Sequence, residues 1–348
     1  MKIEQIPIGP NHPPFVIAEL SGNHNASLDR ALAIVNMAAK SGAHAIKLQT
    51  YTADTMTLES TDPIFTIQDP KSLWHGESLY DLYQKAHTPW DWHQPLFERA
   101  KALDLVIFSS PFDATSVDFL ESLDAPAYKI ASFEITDLPL IKRVAETKKP
   151  LIMSTGMATL PEIEEAVQIA RENGATELCL LKCSSTYPAD PALSNLNTIP
   201  DLAKRFNCLV GLSDHTPGIG TSIAAVAQGA VIVEKHVTLS RADGGVDSAF
   251  SLEPAELTAL VKETNQAWQS MGKIQYGPVG AEEKSLRFRR SIFIVEDIPE
   301  NGVLSEANVK ILRPSNGLAP KHFDAVLGRK VTSPLKKGTP LTWDLLQK

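Results

Sequence analysis

Two histidines each follow an apolar run rich in valine or leucine. His215 lies in the segment GLSDHT and His236 in VIVEKHVT, with Asp214 and Glu234 close to them. Adjacent strands of a sheet lie about 4.8 Å apart, so two histidines at matching heights on neighbouring strands could share one metal ion. Imidazole and carboxylate ligands with open positions suit a divalent cation that acts as a Lewis acid, such as Mn²⁺, Mg²⁺, Zn²⁺ or Co²⁺. Alternatively, each histidine is a hydrogen-bonded core residue.

Charged and hydroxyl side chains also stand at the ends of the other apolar runs. Those suited to bind a ligand with both phosphate and carboxylate groups are Lys47, Lys129, Ser132, Ser154 and Lys182. A lysine can instead form a Schiff base with a carbonyl substrate, which the histidine pair makes unnecessary without excluding it. Glu19, just before the segment SGNH, is a candidate for binding substrate hydroxyls or moving protons. Its alternative role is to neutralise Lys47 in a buried ion pair.

Short apolar strands separated by helical patterns are the elements that must position these groups. The strands are predicted at Phe15–Leu20, Ala45–Thr50, Val106–Ser110, Ala127–Ser132, Leu151–Thr155, Leu178–Ser184, Leu209–Asp214 and Val231–Val237. Their alternation with helices such as Ser27–Lys40 and Leu160–Glu172 predicts a (β/α)₈ TIM barrel that closes near Trp268. The carboxyl ends of barrel strands form the active site, so the polar residues should converge at one mouth. Strand ends that merely reach solvent would explain a single serine, but not several charges just inside apolar runs.

One connection, Tyr51–Thr88, is much longer than the usual few residues of a βα loop, and we call it the excursion. Residues Glu77–Lys85 within it have a helical pattern, and its aromatic and histidine residues include Trp74, His75, Tyr80 and Tyr83. Long ordered loops at this face of a barrel are often lids or specificity elements. A peripheral packing segment is the alternative.

The composition disfavours several classes of protein. The 348 residues are 43% hydrophobic and 21% charged, which is enough of each for a large core and a polar surface. With 33 Lys and Arg against 41 Asp and Glu, the net charge of −8 disfavours binding to nucleic acid or to an anionic membrane. The run Thr216–Val233 contains Pro217 and several glycines and is not expected to span a membrane. Cys179, Cys183 and Cys208 lack metal-ligand spacing and are expected to be reduced core thiols of a cytoplasmic protein.

Seven segments of the sequence are informative when they are taken together and in order. They are AELSGNHNASLDRALAIVNMAAKSGAHAIKLQTYT, FSSPFD, AYKIASFE, MSTGMAT, LKCSSTYP, VGLSDHT and EKHVTL. Across essentially its whole length the chain resembles the sialic acid synthase family, which condenses phosphoenolpyruvate with an N-acetylated sugar. The resemblance implies metal-assisted C–C bond formation, with phosphate lost by C–O cleavage.

The C-terminal part, with ENGVLSEANVKILRPSNGL and LKKGTPLTW, is similar to the small antifreeze-like (SAF) domain that ends these synthases. We therefore expect a catalytic barrel over residues 1–272, a linker over 273–290 and an antifreeze-like domain over 291–348. In the family this domain covers the barrel mouth of the partner subunit. The resemblance thus implies a domain-swapped homodimer in which Arg313 reaches the site of the other chain. From the sequence alone, Arg313 could equally be a solvated surface residue.

Within the family, the segment IKLQTYTADTMTL, followed by SLYDLYQKAHTPWDWH, resembles pseudaminic acid synthases more than N-acetylneuraminate synthases. Ser185 lies in the SST segment before Tyr187, where sialic acid synthases typically carry an Asn, and Ser110 stands where they have a Thr. These departures do not favour N-acetylmannosamine as the acceptor. The expected acceptor is a 6-deoxy-2,4-diacetamido hexose with the altro configuration, and the alternatives are the acceptors of N-acetylneuraminate and legionaminate synthases.

The resemblance also implies roles for individual residues. Phosphoenolpyruvate would be bound by Lys47, Gln49, Ser110, Lys129, Ser132, Ser154 and Lys182. The sugar would contact Glu19, near the reacting carbon, together with Ser185, Tyr187, Asp247 and, from the other chain, Arg313. A divalent metal ion, Mn²⁺ with Mg²⁺ or Co²⁺ as alternatives, would be held by His215 and His236. Glu19 and these two histidines form the expected catalytic set.

Two other functions fit parts of the sequence. A Schiff-base aldolase would use Lys129 or Lys182, and borohydride would trap its pyruvate adduct. A sugar-binding protein without enzyme activity would work through its antifreeze-like domain. Such a binding protein would have no need of the charged strand ends.

Overall fold

The structure is a computed structural model that describes residues 1–347. The chain divides into two compact units, Met1–Gly272 and Lys273–Lys348. In the first unit, parallel strands close into a barrel, and the predicted (β/α)₈ architecture is confirmed. After a hairpin of β1 (Lys2–Ile3) and β2 (Ile6–Pro7), the barrel strands are β3 (Phe15–Glu19), β4 (Ala45–Thr50), β5 (Val106–Pro111), β6 (Tyr128–Ile130), β7 (Leu151–Ser154), β8 (Leu178–Cys183), β9 (Leu209–Asp214) and β10 (Ile232–His236).

Helices alternate with these strands and pack outside them. They are α1 (Leu28–Lys40), α2 (Ala53–Met56), α3 (Leu79–Ala86), α4 (Trp90–Lys101), α5 (Ala114–Ser122), α6 (Leu138–Ala145), α7 (Leu160–Glu172), α8 (Thr198–Phe206), α9 (Gly220–Ala227) and α10 (Pro254–Met271). The predicted start of α1 is confirmed, because the Ser27 side chain caps it by accepting a hydrogen bond from the Arg30 N–H. Among residues 1–347, no helix combines the length and apolar character that crossing a membrane requires.

The barrel interior has an apolar lower layer, because side chains alternate between the interior and the helices along each strand. This layer consists of Phe15, Ile17, Ala45, Val106, Phe108, Ala127, Ile152, Cys179, Leu181 and Ile232, with Ile3 and Ile8 packed against it from the N-terminal segment. The next interior position on many strands is polar, as in Glu19 on β3, Lys47 on β4 and Lys129 on β6. The polar side chains therefore gather at the carboxyl ends of the strands.

Strand pairing brings these polar positions to one level. Glu19 pairs in register with Lys47 on one side and with His236 on the other, where β3 and β10 close the barrel. On the opposite side of β10, Gly211 of β9 allows a close approach. A Cβ atom at Gly211 would lie 2.4 Å from the Ile232 carbonyl oxygen, so only glycine fits there.

The second unit has a small core of its own. Strand β11 (Ser291–Ile294) pairs antiparallel with β12 (Val309–Leu312), and the unit also contains the short helices α11 (Glu282–Ser285) and α12 (Phe323–Val326). Its buried apolar residues are Ile292, Ile294, Ile298, Leu304, Val309, Val326, Val331, Leu335, Leu341 and Leu346.

Candidate active site at the barrel mouth

The carboxyl ends of the barrel strands surround a cavity of about 420 Å³, a size that suits a small-molecule ligand. The predicted site residues that line it are Glu19, Lys47, Gln49, Lys129, Ser132, Ser154, Ser185, Tyr187, His215, His236 and Asp247. The structure thus brings most of the predicted side chains together in one place.

Four buried charged side chains in the wall of this cavity form a group that we call the inner cluster: Glu19, Lys47, Lys129 and Glu234. Lys47 forms an ion pair with Glu19 and donates a hydrogen bond to Ser110 Oγ at 3.1 Å. Glu234 Oε1 lies 3.7 Å from Lys129 Nζ and 3.9 Å from Lys47 Nζ. Ser110 touches the inner cluster but does not itself line the cavity in the described chain.

Burial and mutual attraction set the protonation of the inner cluster. Burial raises the pKa of Glu19 to about 7, against the attraction of Lys47, and burial lowers the pKa of Lys129. Burial opposes the ionisation of Glu234, but the two lysines together lower the pKa of that carboxyl. Within residues 1–347, Glu19 Oε1 and Glu234 Oε2 are buried without a hydrogen-bond partner. Such unsatisfied oxygens beside two lysines are typical of a site that binds a polar ligand.

The two predicted metal ligands lie side by side in the cavity wall, with ring centroids 5.2 Å apart. His215 Nδ1 is 2.9 Å from the Ser184 carbonyl oxygen, which can only accept, so Nδ1 carries a proton. Burial opposes protonation of this ring, but Cys183 and the bond to Ser184 raise its pKa overall, and Nε2 offers a lone pair only when the ring is neutral. Burial lowers the pKa of His236 well below its usual range, so this ring is neutral. His236 Nδ1 is buried with no hydrogen-bond partner in the described chain, and lies 3.9 Å from Asp247 Oδ2.

These two imidazoles suit a divalent metal ion, although residues 1–347 contain no cluster of three or more His, Cys, Asp or Glu side chains placed to hold one. Two ring nitrogens at one cavity, one of them buried and unsatisfied in the described chain, form an incomplete ligand set. A metal ion held by two protein ligands keeps open positions for substrate and water, which distinguishes catalytic from structural sites.

Asp247 is positioned by the loop that follows β3. The Ser21 hydroxyl donates a hydrogen bond to its carboxylate, and the Asp247 backbone N–H donates to Asn23 Oδ1 at 3.3 Å. The buried Asn23 amide also donates to Ser251 Oγ at 2.8 Å. This network ties the first and last βα loops of the barrel together and holds Asp247 beside His236.

Lys182 does not line the cavity in the part of the chain that the structure describes. Leu181 faces the apolar interior of the barrel, so its neighbour Lys182 on β8 faces the outer helices, where Nζ donates to the Cys183 carbonyl oxygen at 2.8 Å. Lys182 lines a different, outer pocket together with residues such as Thr155. Arg313 lies in the second unit with an exposed side chain.

The same alternation corrects the expectation for Asp214. On β9 its neighbour Ser213 lines the cavity, so Asp214 faces outward and forms a buried ion pair with Lys235, at 2.9 Å. Asp214 therefore does not support the histidine pair from inside the cavity. Glu234, on the inward face of β10, does line the cavity.

The lining residues that the sequence does not predict as part of the site include Glu134, Cys183 and Ser213. Burial raises the pKa of Glu134 to about 7, and its Oε2 has no hydrogen-bond partner among the residues that the structure describes. Cys183, expected to be a core thiol, has its Sγ 3.9 Å from His215 Nδ1. Side chains at every second position of a strand face the same side, so an inward-facing Gly211 on β9 predicts that Ser213 also faces the cavity. Glu134 lies in a 3₁₀ turn, where no such simple period applies.

The excursion lies at the cavity and not at the periphery of the barrel. It contains α2, a 3₁₀ turn at Pro63–Phe65 and α3, which corresponds to the predicted helical pattern at Glu77–Lys85. Its side chains that line the cavity are all uncharged: Tyr51, Met56, Ile67, Trp74, Leu79, Leu82, Tyr83 and Ala86. Trp74 Nε1 donates to the Val246 carbonyl oxygen at 3.1 Å and so attaches the excursion to the loop after β10.

Profiles of known families match both units. The NeuB family matches residues 34–276, and the SAF domain matches residues 289–347. The chain is 43% identical to the pseudaminic acid synthase of Helicobacter pylori over 338 residues, which are 97% of this chain and 98% of that protein. The identity to the N,N'-diacetyllegionaminic acid synthase of Campylobacter jejuni is 37%, over 93% of this chain and 97% of that protein.

A solved structure is similar as well. It is the N-acetylneuraminic acid synthetase of Leptospira borgpetersenii serovar Hardjo-bovis in complex with citrate, with a TM-score of 0.73 and 32% identity. The similarity covers 82% of this chain and 94% of the other.

Proposed function

The chain belongs to the NeuB family, and from this we infer that it is a pseudaminic acid synthase. The observation that carries the inference is the 43% identity to the Helicobacter pylori pseudaminic acid synthase over nearly the whole chain, against 37% to a legionaminic acid synthase. The resemblance to sialic acid synthases that the sequence motifs indicate is confirmed by the family match. The protein is therefore an enzyme of the transferase type that uses phosphoenolpyruvate and an amino sugar.

The proposed reaction condenses phosphoenolpyruvate with the open-chain form of 2,4-diacetamido-2,4,6-trideoxy-altropyranose. C3 of phosphoenolpyruvate forms a bond to the aldehyde carbon of the sugar, water adds at C2, and cleavage of the C–O bond releases inorganic phosphate. The other product is pseudaminic acid, a nine-carbon 2-keto acid. The chain must therefore bind two anionic groups, hold an aldehyde and move protons.

The lysines of the inner cluster are proposed to bind phosphoenolpyruvate. Lys47 and Lys129 are buried and held by carboxylates, so their ammonium groups are in position before the ligand arrives. Ser132 and Ser154 supply hydroxyl donors at the same cavity, and Ser154 Oγ is buried with no partner in the described part of the chain. Gln49 lines the cavity beside them as a further donor.

Mn²⁺ is the proposed cofactor, with Mg²⁺ or Co²⁺ as alternatives, and His215 and His236 would hold it. When bound, the ion supplies Lewis-acid polarisation of the carbonyl group of the sugar. The hydrogen bond to the Ser184 carbonyl oxygen orients the His215 ring, as outer partners of metal-binding histidines do. Asp247, held by Ser21, is proposed to accept hydrogen bonds from sugar hydroxyls.

Glu19 and Glu134 are proposed to move protons during the reaction. Burial raises the pKa of each to about 7, so each carboxyl is partly protonated at neutral pH and can both give and accept a proton. Tyr187 and Ser185 line the same cavity and are proposed to contact the sugar.

The assembly is proposed to be a domain-swapped homodimer, because the second unit matches the SAF domain. Arg313 is exposed in the chain and is proposed to face an N-acetyl group of the sugar in the site of the other chain. Cys179, Cys183 and Cys208 are free thiols, which suits a reducing compartment, and we place the enzyme in the cytoplasm.

Phosphate release from phosphoenolpyruvate in the presence of Mn²⁺ tests this function. We expect release with 2,4-diacetamido-2,4,6-trideoxy-altrose and roughly 100-fold lower kcat/KM with N-acetylmannosamine. His236→Ala should be inactive in the same assay while remaining folded, because it loses a metal ligand and not a core side chain.

Other results of this assay lead elsewhere. Faster release with N-acetylmannosamine, or with the legionaminate precursor, would move the assignment to that synthase. Trapping of pyruvate by borohydride, without any effect of a chelator, would indicate a Schiff-base aldolase. Full turnover by His236→Ala would remove the metal from the proposal.

A further inference from the structure

The cavity at the barrel mouth has two chemically different walls. The wall formed by the strand ends carries the inner cluster and both histidines, whereas the wall formed by the excursion is uncharged. Met56, Ile67 and Leu79 line the cavity in the excursion and are half-buried, and we call these three residues the apolar wall. These side chains have no hydrogen-bond donor or positive charge for a phosphate or carboxylate group, so the apolar wall is suited to contact the sugar and not phosphoenolpyruvate.

The apolar wall is a fixed part of the site. Both backbone groups of Ile67 are hydrogen-bonded within the excursion, the N–H to the Glu77 carbonyl oxygen at 3.0 Å and the carbonyl oxygen to the Gly76 N–H at 2.8 Å. Trp74 joins the excursion to the barrel through its bond to the Val246 carbonyl oxygen. A wall held in this way is pre-organised, so little conformational freedom is lost when a ligand packs against it.

We propose that the apolar wall binds methyl groups of the acceptor sugar, above all the C6 methyl, and so selects a 6-deoxy sugar against one with a 6-hydroxyl group. This proposal rests on the proposed function. The diacetamido trideoxy hexose carries three methyl groups, at C6 and in its two acetamido groups. N-acetylmannosamine has a single methyl group and a hydroxyl at C6. A hydroxyl packed against aliphatic side chains would lose its water without gaining a hydrogen-bond partner.

The proposal separates two parts of substrate selection. The 6-deoxy position is common to the precursors of pseudaminic and legionaminic acids, which differ from each other in the configuration of the ring carbons. The apolar wall therefore distinguishes both of these sugars from N-acetylmannosamine. Discrimination between altro and manno configurations falls to groups that make hydrogen bonds, such as Asp247.

The test compares Ile67→Thr with Ile64→Thr. Both replace the same residue type in the excursion, but Ile67 lines the cavity whereas Ile64 is 75% exposed and lies outside its lining. KM and kcat are measured for phosphoenolpyruvate, for 2,4-diacetamido-2,4,6-trideoxy-altrose and for its 6-hydroxy analogue. We expect Ile67→Thr to raise KM for the deoxy sugar about tenfold, to reduce the preference over the 6-hydroxy analogue, and to leave KM for phosphoenolpyruvate unchanged. Ile64→Thr should behave as the wild type.

Met56→Gln, which keeps the length of the side chain, is a second variant of the apolar wall with the same expected result, and it keeps the test decisive if Ile67→Thr does not fold. The role proposed for the apolar wall would be wrong if the wild type had equal kcat/KM for the deoxy sugar and its 6-hydroxy analogue. It would also be wrong if Ile67→Thr and Ile64→Thr had the same kinetic constants. Neither result would contradict the proposed synthase function. Absence of phosphate release by the wild type with every diacetamido sugar would overturn the proposed function, and the apolar wall with it.

Discussion

Buried charges on the two faces of β10 differ in how completely they are hydrogen-bonded. On its outer face, Lys235 Nζ donates to Asp214 Oδ2 at 2.9 Å and to the Thr216 carbonyl oxygen at 2.5 Å. The Asp214 carboxylate also accepts hydrogen bonds from the hydroxyls of Thr216 and Ser222, at 2.8 and 2.6 Å. We call Asp214 and Lys235 the outer pair, and its hydrogen bonds are made within the chain.

The inner cluster begins one residue away along the same strand and is built differently. Its Glu234 lies 3.7 and 3.9 Å from the ammonium groups of Lys129 and Lys47, beyond ordinary hydrogen-bond distance. Oxygens of Glu19 and Glu234 lack partners in the part of the chain described by the structure. Both the outer pair and the inner cluster are therefore buried charged groups. The inner cluster differs in that its hydrogen bonds are incomplete, and this marks it as the candidate site.

Breaking the outer pair tests the structural half of this comparison and should have the largest effect. Asp214→Ala leaves Lys235 buried without its carboxylate, and we expect the free energy of unfolding to fall by about 3–5 kcal/mol in urea denaturation. Asp118→Ala is the control, since Asp118 pairs with Arg143 at the surface. This substitution should lower the free energy of unfolding by less than about 1 kcal/mol. Equal losses in the two variants would contradict the structural role of the outer pair.

Removing a charge from the inner cluster should reduce activity more than stability. Lys129→Met is expected to lower kcat/KM for phosphate release by about 100- to 1000-fold, because a pre-positioned cation is lost. Its urea midpoint should fall less than that of Asp214→Ala, since Glu234 keeps Lys47 as a second cation at 3.9 Å. Lys182→Met is the matched comparison, because Lys182 does not line the cavity, and its turnover should stay within a few-fold of the wild type. A large loss of turnover in Lys182→Met would restore the sequence prediction for that residue.

The buried residue His93 is a third case, because both of its ring nitrogens are hydrogen-bonded and the ring carries no charge. His93 Nε2 lies 2.8 Å from Thr50 Oγ1, and its Nδ1 lies 3.2 Å from the Pro89 carbonyl oxygen. Burial lowers the pKa of His93 from 6.5 to about 4, so between these values the unfolded chain binds a proton that the folded chain does not. The free energy of unfolding should therefore fall by up to about 3 kcal/mol as the pH drops from 6.5 to 4.

His93→Gln tests this linkage, because glutamine does not titrate. Urea midpoints measured between pH 7 and pH 4 should fall less steeply in the variant than in the wild type. His24, with a pKa also lowered to about 4 by burial, should account for part of the slope that remains. An unchanged slope in His93→Gln would show that this histidine is not kept neutral by the fold.

Most of the barrel could be predicted from the sequence because its signals are local. Apolar runs with polar ends predict the strands. Along β3 and β4, every second side chain faces the barrel interior, so the apolar Ile17 and Ala45 are followed there by the charged Glu19 and Lys47. The sequence predicts Lys182 as a site residue from its position at a strand end, but that position alone does not show which face of the strand the side chain occupies. Leu181 in the apolar interior shows that the neighbouring side chain must face outward.

The rest of the candidate site depends on tertiary structure that no local period records. Glu134 lies in a 3₁₀ turn, and it becomes a cavity residue only through the path of the chain after β6. The excursion could be recognised as unusually long, but not as a wall of the cavity. Its position depends on contacts such as the one from Trp74 to the Val246 carbonyl oxygen, between segments far apart in the sequence.

The seam between β3 and β10 links the candidate active site to the completion of folding. Glu19 and His236 are paired residues across this seam, although they stand near opposite ends of the sequence of the barrel unit. During synthesis β10 is the last barrel strand to emerge, so until then β3 and β9 present open edges whose backbone groups are unpaired. Contacts between such distant segments also form slowly. A nascent chain that has folded only as far as β9 lacks both Glu234 and His236, so we expect phosphate release only after the barrel has closed.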